Sequence, residues 1–335
     1  MAYQPRPHFL FIFFRELFNT FIHSTGDDPL LARTHRSFQN QPAQTNNILL
    51  LVPITLGLIL NLLIRYIIGH VLMSILILET VEKQADASEL GDKKPAPSSR
   101  QLLRTSAILY RSGGVRLLLN GIGSACTYWA MHISVAKVST TLLPSPAAHI
   151  LASVLLAETH FLWTTRTILP RDQLRFVSNP GDCRRWKALV PPTLVYAAAE
   201  TVMMHVPALF SPPPGEEVTI AGLLYIVRSD ILVSGLMLCA QLFLLLPSYM
   251  VLILVQASLL PPTCETLVFS PSRQQRGRRL GEIFSAVNRR PLQAQEAAQM
   301  IGMGRLLSCL ELHGKMCLCL VGVAAVVHSV VYCML

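Results

Sequence analysis

The chain has 335 residues, of which 52% are hydrophobic and 14% charged, and its mean hydropathy is +0.46. Soluble domains carry about a quarter charged residues, so this balance argues against an ordinary soluble protein and for an integral membrane protein. The formal charge of +9 sits on an apolar, aromatic-poor background. That argues against nucleic acid and for basic loops that set orientation and touch anionic lipid.

Residues 1–46 form an N-terminal tail, partly disordered. The apolar run Phe9–Phe14 is too short to span a bilayer and no cleavage site follows it. Arg6 and Arg15 with Phe11, Phe14, Leu17 and Phe18 fit a short surface amphipathic helix, and Glu16, Asp27 and Asp28 argue against a mitochondrial presequence.

Six apolar segments follow: Ile48–Leu78, Gly121–Leu143, Ala147–Ile168, Trp186–Leu209, Ile220–Leu260 and Met303–Leu335. A bilayer core needs about 20 apolar residues per helix. The first and fifth exceed that, and Pro53 and Pro247 are their natural bend points. Asp230 beside Arg228 marks a surface break in the fifth. Eight cysteines, with no CxxC pair, lie mostly in these segments and read as small apolar residues, not as metal ligands or disulfides.

The connections alternate. Lys83, Lys93, Lys94, Arg100, Arg104 and Arg111 lie between segments one and two, Arg171, Arg175, Arg184 and Arg185 between three and four, and Arg273, Arg276, Arg278, Arg279, Arg289 and Arg290 between five and six. The short connections "VSTTLLPSPAA" and "FSPPPGEEVT" hold no Lys or Arg. Six spans place all three basic connections on one face, the cytosol or matrix by the positive-inside rule, and both termini on the other. The N-tail Arg6, Arg15, Arg33 and Arg36 are a partial exception. The rhythm divides the chain into three helical hairpins. "LGEIFSAVNRR" carries an amphipathic stripe of Leu280, Ile283, Phe284 and Val287, and "RQLLRTSAILYR" a looser one of Leu102, Leu103, Leu109 and Tyr110. "ADASELGDKKPAPSSR" and "SPSRQQRGRR" read as flexible loops.

On this pattern "GVRLLLNG", Gly114 to Gly121, resembles the turn that leads from a surface helix into each even-numbered span of the mitochondrial carrier family. The family's second mark is Pro-x-Asp/Glu-x-x-Lys/Arg at the end of each odd span. "ILETVEKQ" keeps the acid as Glu79, with Ile77 and Glu82 in the other places. "FLWTTR" keeps only the base, Arg166, with Phe161 and Trp163, and "PSYMVLILVQ" keeps Pro247 and a trailing Gln256, with Tyr249 and Leu252. The resemblance implies an all-α membrane protein of six transmembrane helices in three pseudo-repeats: 47–145, a short 146–212, and 213–335. It also implies transport of a small solute by alternating access, and a gate that departs from the usual ion pairs. It places a substrate-contact position at Tyr128 and Trp129, a pair that favours a planar or apolar ligand.

Ionisable groups in a hydrocarbon core are costly and so are functional candidates. Arg65, His132, Glu158, His160, Arg166 and Glu200 join Tyr128 and Trp129 as candidates for the solute pathway, with Glu158 and Glu200 expected to face a common cavity. Internal pairing within the bundle is the competing reading. Glu311 and Lys315 are spaced to pair along one helix face. No GxSxG, HExxH, P-loop or GxGxxG motif occurs, so no enzyme activity, cofactor or metal is expected, and Glu158–Thr159–His160 with His149 or His205 lacks the usual zinc spacing. The expected partners are membrane lipids, anionic lipid at the basic loops, and a small solute. The expected state is a monomer in the mitochondrial inner membrane or another organelle membrane. Two alternatives stand: a membrane-embedded enzyme acting on a lipid or isoprenoid through Glu158, His160, Glu200 and His205, and a transport-inactive membrane adaptor.

Overall fold

The computed structural model describes residues 48–87, 102–177, 181–209, 232, 235–269, 277–284 and 291–334. The tail with its expected surface helix, the Arg228–Asp230 break and Val287 lie outside the described residues. The protein is mostly helical, and among the described residues three helices are long and apolar enough to cross a membrane: Thr55–Val81, Gly235–Ser258 and Met303–Val327. They fall in the first, fifth and sixth apolar segments and are compatible with a helical membrane protein.

The first segment is one continuous helical run: α1 (Ile48–Ile64), a π-helical stretch (Arg65–Leu72) and α2 (Met73–Ala87). Pro53 lies inside α1, and the departure from α geometry falls at Arg65–Leu72, where the wider turn displaces side chains relative to a regular helix. The fifth segment carries a second π-helical stretch, Gln241–Leu245, before α8 (Leu246–Ser258). Pro247 has no N–H, and its ring would crowd the carbonyl four residues back, at Phe243. A locally widened turn relieves that conflict.

Between them lie α3 (Leu102–Leu118), α4 (Ile122–Ser139), α5 (Ser145–Leu155), α6 (Ala157–Ile168) and α7 (Cys183–Leu209). Gly114 interrupts α3 at φ 67°, ψ −163°, and Gly121 turns the chain into α4 at φ 89°. The third segment, expected as one span, breaks at Leu156 (φ −94°, ψ 13°) with no Pro or Gly at that residue to announce it. Glu158 in the first turn of α6 and Arg166 in its last oppose the helix dipole favourably.

The "SPSRQQRGRR" loop ends in a strand. β1 (Glu265–Phe269) pairs antiparallel with β2 (Gly277–Arg279), Glu265 opposite Arg279 and Phe269 opposite Gly277. Thr266, Val268 and Phe269 are residue types that suit a pleated strand. The expected helix from Leu280 to Val287 is a single described turn, α9 (Leu280–Ile283), with Leu280 and Ile283 buried. Leu280 N–H bonds Cys264 O and Gly281 N–H bonds Pro262 O, which satisfies two donors that a helix N-terminus leaves open and docks the turn beside β1. A capped short helix, α10 (Ala294–Gln299), precedes α11 (Met303–Met334).

The described chain forms two compact units, each built from separated stretches. The larger comprises Thr45–Tyr128, Leu156–Thr193 and Leu246–Leu335. Its core joins α2 to α6 and α8, with α1 packed along α11. Residues 71–81 and 246–257 are buried almost throughout, whereas Val52, Leu56 and Ile59 on α1 and Leu318, Val321 and Val326 on α11 face outward, an apolar surface suited to lipid. The smaller unit takes in Trp129–Leu155 and Leu194–Leu245, where side-chain bonds link α4, α5 and α7.

Candidate functional site

In the larger unit the π-helical stretch, α4, α6 and α8 converge on a cluster of rings. Their sequences are apolar enough to pack together, yet each sends one or two polar rings inward. His70 lies 4.5 Å from Trp163 and 6.1 Å from Tyr249 between ring centroids. His160 lies 5.1 Å from both Trp163 and Tyr128, and Tyr128 is 5.7 Å from Trp163. Edge and tilted packing at these distances is attractive beyond simple burial.

Polar atoms tie the rings together. The Tyr249 hydroxyl lies 3.3 Å from Ser74 Oγ and 3.4 Å from His70 Nδ1. Gln256 Nε2 donates to His160 Nδ1 at 2.9 Å, which puts the proton of a neutral His160 on Nε2. Gln256 is 1% exposed, and its Oε1 has no hydrogen-bond partner among the described residues. An acceptor buried this way costs stability unless something bonds it.

Beside the cluster, the turn ending at Gly121 is clamped to α6. The Tyr66 hydroxyl donates to Asn120 O at 2.5 Å, while Asn120 Nδ2 donates to Arg166 O at 2.5 Å and Leu169 O at 3.0 Å, satisfying carbonyls at a helix end that the helix leaves open. Arg166 Nη1 bonds Ser124 Oγ, so the remnant base of the second gate mark joins α6 to α4.

Glu158 and Glu200, expected to share a cavity, have separate partners in different units. Glu158 bonds Arg185 Nη2 and accepts Gly181 N–H at 2.9 Å, and the buried Arg185 guanidinium lies over Phe161 at 5.0 Å. Glu200 pairs with His149 at 3.2 Å. His149 in turn lies 4.6 Å from His132, whose Nε2 is 2.9 Å from Ser153 Oγ. His205 Nδ1 bonds Thr201 O within its own helix, and Arg65 Nε bonds Asn61 Oδ1 at 2.8 Å. Glu79 is buried, Trp129 falls in the smaller unit, and Glu311 pairs with Lys315 at 2.7 Å. Among the described residues no three His, Cys, Asp or Glu side chains gather as a metal site would require. Outside the spans, burial pushes the Cys264 thiol above its ordinary value.

No family model, curated protein or solved structure matches this chain.

The residues missed at the sequence level are His70, Tyr66, Ser74 and Asn120. His70 stands in the same "NLLIRYIIGH" stretch as Arg65, and the rule that flags intramembrane ionisable groups applies to it equally. Tyr249 is a departure from the gate mark in the sequence, yet it meets His70, as Gln256, two turns on, meets His160.

The Glu158–Arg185 pair makes a direct prediction. Glu158→Gln removes the carboxylate that the buried Arg185 guanidinium bonds, a loss of about 3 kcal/mol. The double variant Glu158→Gln/Arg185→Met keeps an apolar stem against Phe161 and should unfold at a higher temperature than Glu158→Gln alone. Thermal unfolding in detergent measures both.

Proposed function

We propose that this chain is a carrier-like membrane protein that moves a small solute by alternating access. In this reading it has six spans in three pseudo-repeats, 47–145, 146–212 and 213–335. The observation that carries the reading is the inward-facing set His70, Tyr249 and Gln256. They lie on helices apolar enough to cross a bilayer, where buried polar groups are costly and mark a functional path. Tyr128, His160 and Trp163 complete the path, and the gate-mark remnant Gln256 bonds His160 within it. Positive φ at Gly114 and Gly121 agrees with a tight turn entering α4, as the carrier resemblance implies.

In place of an ion-pair ring, the path closes by edge-on and tilted ring packing and neutral hydrogen bonds. Alternating access then exchanges these contacts for solute contacts as helices tilt. The protein acts as a monomer in the mitochondrial inner membrane, with anionic lipid at its basic loops. The enzyme reading has less support, because Glu158, His160, Glu200 and His205 each bond a different partner.

The test is exchange of labelled solutes into vesicles preloaded with the same unlabelled compound, using full-length protein. Saturable uptake by wild type that is lost in a Gln256→Leu variant unfolding at the wild-type temperature supports transport. Absence of exchange across amino acids, keto acids, nucleotides and nucleobases favours the adaptor. Protease mapping of tagged protein in vesicles should find both termini on one face and the loops around Arg104, Arg175 and Arg276 on the other.

A further inference from the structure

The ring cluster also limits what can be carried. We propose that it is a binding site for a neutral, planar heteroaromatic solute bearing an N–H or O–H donor, with that donor bonding Gln256 Oε1. The inference rests on the transport reading and names the solute class for the same site.

Three independent features point to this class. The first is the orphan acceptor: Gln256 gives one amide N–H to His160, and its buried Oε1 has no partner among the described residues. A solute donor repairs that loss, whereas a solute offering only acceptors would add a second unmet group. The second is shape. His70, Tyr128, His160 and Trp163 come from three separate elements with ring centroids 4.5–5.7 Å apart where they touch. In the state described the rings are closed on one another. When their helices part, each loses an aromatic neighbour, and a flat ring restores those contacts where a branched or globular solute does not. The third is charge. None of His70, Tyr128, His160, Trp163, Tyr249 and Gln256 carries a fixed charge. An ionic solute would therefore lose its hydration without meeting an opposite charge in the cluster. Phosphates and dicarboxylates fit this surface poorly.

The test is a binding assay on full-length protein in lipid nanodiscs, by scintillation proximity with tritiated adenine, nicotinamide and indole as neutral ring probes. ATP and malate are the ionic comparators. Saturable binding of at least one neutral ring, at least tenfold tighter than either ionic probe, is expected. Gln256→Leu should weaken that binding at least tenfold, and Tyr128→Leu should weaken it as well. Circular dichroism and thermal unfolding of both variants separate a lost site from a lost fold.

The proposal is overturned if none of the three rings binds saturably, if ATP or malate binds as tightly, or if folded Gln256→Leu binds as wild type does. Nanodiscs hold no second compartment, so the assay is blind to transport. Binding without vesicle exchange would sink the transport reading and leave the site. Exchange of an ionic solute without ring binding would do the reverse.

Discussion

Trp163→Ala is expected to destabilise the protein by about 3–5 kcal/mol, the range for emptying a buried large aromatic site. Trp163 is 3% exposed and touches His70, His160 and Tyr128, so truncation strips a neighbour from each ring at once. The surrounding side chains come from different elements and cannot all close over the void. Trp163→Phe keeps a ring in place and should retain most of the stability. Thermal unfolding of the two variants in detergent tests this, with Trp163→Ala well below wild type and Trp163→Phe between them. Equal midpoints for Trp163→Ala and wild type would show that the cluster bears no packing load.

Gly121→Val is expected to cost about 2–5 kcal/mol, combining left-handed backbone strain with overpacking. At φ 89° a side chain is strained whatever the space, and a Cβ there would lie 3.1 Å from the Tyr66 hydroxyl and 3.2 Å from Thr167 Oγ1. Its third neighbour is the Arg166 carbonyl carbon at 3.4 Å, backbone that cannot swing away. Displacing Tyr66 also breaks its bond to Asn120 O and loosens the clamp on α6. Gly114→Ala is the contrasting variant. Gly114 has φ 67° but nothing within 4 Å of an added Cβ, so only the backbone term of about 1–2 kcal/mol remains. Unfolding midpoints should rank wild type, Gly114→Ala, Gly121→Val in descending order. An unchanged Gly121→Val would mean that the turn adopts another conformation.

The two glycines were legible in the sequence because punctuation before an apolar run has a local backbone cause. The long apolar helices were legible for a similar reason, since length and hydropathy are sums over neighbouring residues. The break at Leu156 was not. It lies in a segment whose composition suits one helix, and only packing decides that α5 and α6 part there. The strand at Gly277–Arg279 was hidden too, because "GRR" has weak strand preference and is held by its partner, Glu265–Phe269.

The candidate site divides the same way. His160 could be named from residue type and span position, because a polar group in an apolar run is conspicuous by itself, whereas Tyr128 and Gln256 were reached only through the carrier resemblance. Which groups meet could not be named that way. Glu158 and Glu200 looked like a pair by hairpin topology, yet Arg185 and His149 took them. His70 meets Trp163 and Tyr249 across 93 and 179 residues of chain, separations that no local pattern encodes.

By itself, then, the sequence determined the apolar character of the chain, three of the six runs expected to cross a bilayer and the turn at Gly121, since each follows from local composition and backbone sterics. Only the tertiary structure decided that His70, Trp163, His160, Tyr249 and Gln256 meet in one cluster, and that the buried Gln256 Oε1 has no partner among the described residues. Those facts depend on distances between residues far apart in the chain, which helix packing alone fixes.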